Sequence, residues 1–139
     1  MEINRRELCG ILTALYSTSL IAGDSALGST TFRYEDLPVK KTDAGEGRSV
    51  LRGATPTGEQ VEVHETSLRP GSMPHAPHRH KHSEFWLVRE GTVEITINGQ
   101  KHQLGPGSVG FAASNDEHGI KNVGTGTASY FVVAIGAMS

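Results

Sequence analysis

Gly91-Thr92-Val93-Glu94-Ile95-Thr96-Ile97-Asn98-Gly99 is the stretch on which the fold turns. Val93, Ile95 and Ile97 alternate with Thr92, Glu94 and Thr96, so one face is apolar and the other polar, the period of a half-buried strand. Asn98-Gly99 follows at once, and both residues readily take the positive φ that a tight hairpin demands. The same reading extends outward. Upstream, Val61, Val63 and Glu65 alternate after a Thr57-Gly58 turn. Downstream, Gly105-Pro106-Gly107 and Gly124-Thr125-Gly126 punctuate later strands, and residues 130–135 form a buried-strand run. The 17 glycines and 6% aromatics fit many short strands joined by turns. No internal repeat or long helical pattern follows residue 30. At 139 residues the chain is the size of one domain. The expected fold is all-β, a double-sheet β-barrel or jelly roll.

Immediately before this stretch the composition changes character. Pro74-His75-Ala76-Pro77-His78-Arg79-His80-Lys81-His82-Ser83-Glu84 places four of the seven histidines close together, and His118 lies further on with Asn122 four positions after it. On an extended segment His78 and His80 share a face, so both imidazoles reach one ion. Glu84 has the same parity, but a straight strand would set it roughly 13 Å beyond His80. Donor atoms on one ion lie within about 4 Å of each other. If Glu84 is to join the site, the chain must therefore bend at Lys81-His82-Ser83, and such a bend is expected to aim His82 away from it. His118 completes the set from a separate strand. The plain alternatives are a weak, adventitious histidine tract and, for His64 and His102, ordinary strand positions. His75 and His82 read as rim residues, and Asn122 as a turn residue.

Two spaced patterns resemble the signature motifs of the cupin superfamily, in particular its small single-domain, conserved-barrel members. Gly71, His78, His80, Glu84 and Gly91 read G-x6-H-x-H-x3-E-x6-G; Gly107, Ala113, Asn115, His118 and Asn122 read G-x5-A-x-N-x2-H-x3-N. One extra residue separates Gly71 from the first histidine. Ala113 stands where the family has Pro, and Asn115 where it has Gly. Asn tolerates the left-handed backbone nearly as well, so the turn at Asn115 should survive. The likeness covers about residues 45–135. It implies that His78, His80, Glu84 and His118 are metal ligands and that the fold is the cupin barrel.

Three imidazoles and a carboxylate suit one divalent transition ion, Fe, Mn, Ni, Co or Zn, and affinity does not choose among them. Open coordination positions would admit a small anionic or enolisable molecule. The resemblance thus implies a metal-dependent enzyme of dioxygenase, isomerase or decarboxylase type; separately from it, His75 and Tyr130 are candidate proton carriers that nothing in the sequence places in the pocket. The other class in play is a metal-containing module that binds or senses a small molecule without turnover. Net charge is -2 (13 basic, 15 acidic residues), which gives no footprint for nucleic acid.

In Phe85-Trp86-Leu87-Val88, an inward Glu84 makes Trp86 and Val88 inward too. Phe85 and Leu87 then face out and need cover. Small cupins commonly dimerise, so a homodimer is the expected partner.

Residues 1–28 read as an N-terminal extension or export signal, and residues 29–139 as the single barrel domain. Arg5 and Arg6 precede a charge-free, mildly apolar run over residues 8–22, and Ala26-Leu27-Gly28 fits a cleavage site before Ser29. This resembles a twin-arginine signal leading to the periplasm. The competing reading keeps the protein cytoplasmic, with Leu8, Ile11, Leu12, Leu15 and Ser19 along one stripe of an amphipathic helix. The run is too short for a membrane span. Cys9, the lone cysteine, has no disulfide partner.

Overall fold

The computed structural model describes residues 26–138, so both readings of the preceding segment lie outside the described residues. Nine strands follow a 3₁₀ turn at Tyr34–Asp36: β1 (Val39–Lys41), β2 (Gly45–Ala54), β3 (Gln60–Leu68), β4 (Ser83–Glu90), β5 (Val93–Ile97), β6 (Gln100–Leu104), β7 (Val109–Ala112), β8 (His118–Asn122) and β9 (Ala128–Ile135). They form a six-stranded sheet, β1-β2-β3-β9-β4-β7, and a three-stranded sheet, β6-β5-β8. All named pairings are antiparallel. The all-β, double-sheet expectation therefore holds, and among the described residues no helix is long and apolar enough to cross a membrane.

Local chemistry sets the hairpin that began the reading. Asn98 sits at φ 47° and Gly99 at φ 80°, and Ile97 pairs with Gln100 across the two-residue turn. Asn98 Oδ1 also accepts the Glu117 amide at 3.0 Å, tying this turn to the loop before β8. Val93 and Ile95 are fully buried and Ile97 packs against the core. Opposite them, Trp86, Val88, Tyr130 and Val132 project from the large sheet into one cluster. Each such side chain contributes about 1.5–3 kcal/mol by leaving water. Two sheets each burying one face explain why the alternating pattern was so clear.

The outer face of the large sheet differs along its length. Leu87 is 41% exposed, Val109 57% and Phe111 48%, with the Phe85 ring 4.7 Å from that of Phe111. This is the outward apolar pair expected from residues 85–88, widened by β7. Further along the same face, Glu65 is completely buried. Strand parity alone would expose it, because its register partner on β9 is Phe131, on the side away from the core. The segment before β1 supplies the cover. Leu27 bonds the Ala54 carbonyl, Ser49 bonds that of Pro38, and the Tyr34 ring lies under the guanidinium groups of Arg48 and Arg89 at 4.7 and 4.4 Å.

Candidate metal centre

Histidines 78 and 80 lie in an extended segment, not a regular strand. His78 and His118 exchange backbone hydrogen bonds, both 3.0 Å, as an isolated antiparallel bridge. Two residues on, the Asn115 amide donates to the His80 carbonyl at 2.8 Å. Bonds at alternate residues keep both histidines on one side, as parity required. Asn115 holds φ 65°, so the left-handed turn survives without glycine. Gly119 matters for a different reason. A Cβ there would stand 3.0 Å from the ring of Pro77, so glycine lets the segment carrying His78 approach β8.

The chain bends at Lys81-His82, and β4 begins at Ser83. That bend brings Glu84 back to the histidines: Oε1 lies 3.2 Å from His80 Nε2, and Oε2 lies 3.6 Å from His118 Nε2. The expectation that the bend aims His82 elsewhere is wrong. His82 stacks on His80 with ring centroids 3.5 Å apart and planes 13° apart, and its Nε2 is 3.3 Å from the same Glu84 Oε1. A two-residue bend closed by His80 Nδ1 and the His82 carbonyl at 2.9 Å folds the second ring over the first. Parity could not reveal this, because the turn is set by contacts rather than by period.

Two groups of potential donors result. Ring nitrogens of His78, His80 and His118 lie within 4.8 Å of one another, and so do the donor atoms of His80, His82 and Glu84. His80 alone belongs to both groups; Glu84 is a member of the second only, although its Oε2 lies 3.6 Å from His118 Nε2.

Hydrogen placement decides what this cluster needs. Only an N–H can bond a carbonyl, so His80 Nδ1, bonded to His82 O, and His118 Nδ1, 2.8 Å from Asp116 O, carry the hydrogens. In the neutral rings both Nε2 atoms are then lone pairs, and they face each other at 3.0 Å beside the Glu84 carboxylate. Burial is the largest influence holding His118 below the ordinary imidazole value, with Asp116 and Glu84 opposing it. Burial likewise lowers His78, with His75, His118 and His80 adding to the effect. His78 Nδ1 is buried and finds no hydrogen-bond partner among the described residues. Three acceptors around one point, with burial favouring the neutral form of His118, fit a divalent ion better than a shared proton. The carbonyls behind His80 and His118 fix the tautomer that ligation requires.

Beside the cluster lies a cavity of about 290 Å³. Glu84 and His118 form one side; Trp86, Ile120 and Val132 form apolar walls; His64, Thr66, His75 and Tyr130 contribute polar groups. Burial pushes the Tyr130 phenol up, so it stays protonated at neutral pH. His75 sits edge-on to His78 with centroids 4.2 Å apart, at the rim where the sequence put it. His64 had read as an ordinary strand residue, yet it lines the cavity. Asn122 is a structural residue: fully buried, it donates to Leu68 O and Gly126 O and accepts from the Gly124 amide.

A two-sheet barrel with inward histidines and a carboxylate at one end defines a class of small β-barrel proteins. The family profile described as Cupin domain matches residues 64–134, and this chain belongs to the cupin family. L-ectoine synthase of Bordetella parapertussis is 32% identical over 79 residues, which are 56% of this chain and 59% of that protein. The match thus spans less than two thirds of the curated relative. Among solved structures, an RmlC-like cupin from Shewanella frigidimarina superposes with TM-score 0.66 at 16% identity, covering 81% of this chain and 95% of that one. A predicted oxalate decarboxylase from Thermotoga maritima gives 0.65 at 19% identity, covering 78% and 100%. At such identities these structures speak for the fold alone.

Proposed function

We propose that this chain is an enzyme acting on a small anionic or enolisable molecule through one divalent transition ion held by His78, His80, Glu84 and His118. The observation that carries the reading is the pair of Nε2 atoms facing each other at 3.0 Å beside a carboxylate, with both Nδ1 hydrogens taken by carbonyls, an arrangement that a divalent cation would satisfy. When bound, the ion supplies Lewis-acid polarisation and a template for orienting the substrate. The protein's own groups supply the rest. Trp86, Ile120 and Val132 exclude water from the cavity wall. Tyr130, kept protonated by burial, donates a hydrogen bond to a substrate oxygen. His64 and Thr66 offer the remaining polar contacts. His75 stands at the mouth, positioned to carry a proton to solvent.

The reaction belongs to the oxygenase, isomerase, decarboxylase or synthase types that an ion-assisted pocket of this size supports. L-ectoine and compounds of its size belong in the first panel, because the curated relatives are L-ectoine synthases. The test is turnover of that panel by metal-loaded protein, with oxygen uptake followed in parallel. Conversion that disappears in His118→Ala supports the enzyme. Saturable binding without conversion across the panel makes the chain a metal-containing binding module instead.

A second copy covers the outer apolar strip of Leu87, Val109 and Phe111, whose exposure supports a homodimer. Leu87→Glu should then shift the particle from twice the chain mass to once, read by light scattering. Arg5-Arg6 and the charge-free run after them support export to the periplasm; fractionation of cells expressing the Arg5→Lys/Arg6→Lys variant tests it.

A further inference from the structure

His82 matches no ligand position of the two motifs, yet it touches the carboxylate that the ion would use. Its ring is fixed by the 3.5 Å stack on His80. Its Nδ1 is buried and finds no partner among the described residues. A neutral imidazole carries one N–H, and only Nε2 faces an acceptor, Glu84 Oε1 at 3.3 Å. That separation is just beyond the usual range for an N–H···O bond and makes this a weak one. The hydrogen therefore belongs on Nε2, which makes His82 a donor to Glu84 and not a free ligand. Glu84 Oε1 already lies 3.2 Å from His80 Nε2, while Oε2 faces His118 Nε2 at 3.6 Å with no other protein contact among the described hydrogen bonds and ion pairs.

We propose that His82 is a positioning residue: by donating to Glu84 Oε1 it fixes the carboxylate's rotation and leaves Oε2 as the oxygen presented to the ion. The inference rests on the reading of His78, His80, Glu84 and His118 as ligands. Without His82 the carboxylate turns freely about its last torsion and the ion loses a pre-oriented ligand. Loss of a group that orients a ligand in this way typically weakens binding about 10–100-fold.

The experiment titrates cobalt(II) into metal-stripped full-length protein, following both affinity and the visible ligand-field spectrum. Wild type is compared with His82→Ala, which removes the donor, and His82→Gln, which keeps an N–H near the same place. Melting of each metal-free protein checks that all three fold. The expected result is one cobalt per wild-type chain, about 10–100-fold weaker binding with an altered spectrum in His82→Ala, and recovery of both in His82→Gln. Binding and spectrum unchanged in His82→Ala would overturn the positioning role. Equal weakening in both variants, with a spectrum that Gln does not restore, makes His82 a ligand and overturns it differently. A wild type that takes up no cobalt removes the metal reading itself, whereas the two preceding outcomes leave that reading intact.

Discussion

Glu65 and Glu84 are carboxylates on neighbouring parts of one sheet, and their surroundings have opposite character. Glu65 on β3 is fully buried among donors: Ser67 Oγ at 2.8 Å, Arg48 at 3.3 Å and Arg89 at 3.7 Å, with Tyr34 stacked under both guanidinium groups. Every charge there has a partner. Glu84 on β4 is partly open to the cavity and stands among imidazoles, at least two of which turn lone pairs rather than hydrogens inward. A protein closes the first kind of cluster to hold its own segment before β1 in place. Among the described residues the second kind holds no Lys or Arg, and a bound ion would complete it. Buried charge compensated from within marks structure, whereas buried acceptors left facing one another mark a place for a cation.

The largest effect should come from breaking the compensated cluster. Arg48→Met leaves Glu65 with the more distant Arg89 and is expected to destabilise the barrel by about 3 kcal/mol, near the lower bound for orphaning a buried charge. Chemical denaturation of metal-free protein reads this. An unchanged midpoint would mean that Glu65 is held by Ser67 and Arg89 alone. The uncompensated cluster should respond to an ion instead. At a free concentration 100 times Kd, a ligating ion stabilises the folded state by about 2.7 kcal/mol; His118→Ala should abolish that gain, on top of a metal-independent loss from emptying a buried site and breaking the bond to Asp116 O. An ion-induced gain that survives in His118→Ala would put the histidine on the structural side of the comparison.

The sequence spoke clearly where the physics is periodic or local. Val93, Ile95 and Ile97 had to face one side, and Asn98-Gly99 had to turn, because alternation and positive φ need no distant partner. Parity put His78 and His80 on one side, whereas Glu84 came in only through the resemblance of the spaced motif and a bend that parity itself did not supply. His82 escaped that logic, since its direction depends on a stack against His80 and a bond to Glu84. Glu65 escaped it more completely. It read as one more alternating residue, and its partners Arg48 and Arg89, which share the ring of Tyr34, come from other strands and are invisible to any periodic pattern.

Two smaller effects sharpen the contrast. Asn98→Ala must hold an unfavourable left-handed backbone and loses the Glu117 amide's acceptor; it should cost about 1–2 kcal/mol by thermal melting while leaving metal affinity within the scatter of wild type. Weaker cobalt binding there would show that the loop before β8 tunes His118. Glu84→Gln is the smallest change in the metal-free protein, about 0.5 kcal/mol or less in either direction, because the amide oxygen can still accept from His82 Nε2. A large loss would mean that Glu84 is compensated after all.

Elemental analysis of protein purified without a histidine tag, run beside His80→Ala, tests the central claim most directly. The account predicts about one transition ion per wild-type chain and none in the variant, both folded. If neither protein holds metal even after reconstitution with cobalt, zinc, manganese and iron(II), the facing imidazoles share a proton and the barrel works without an ion.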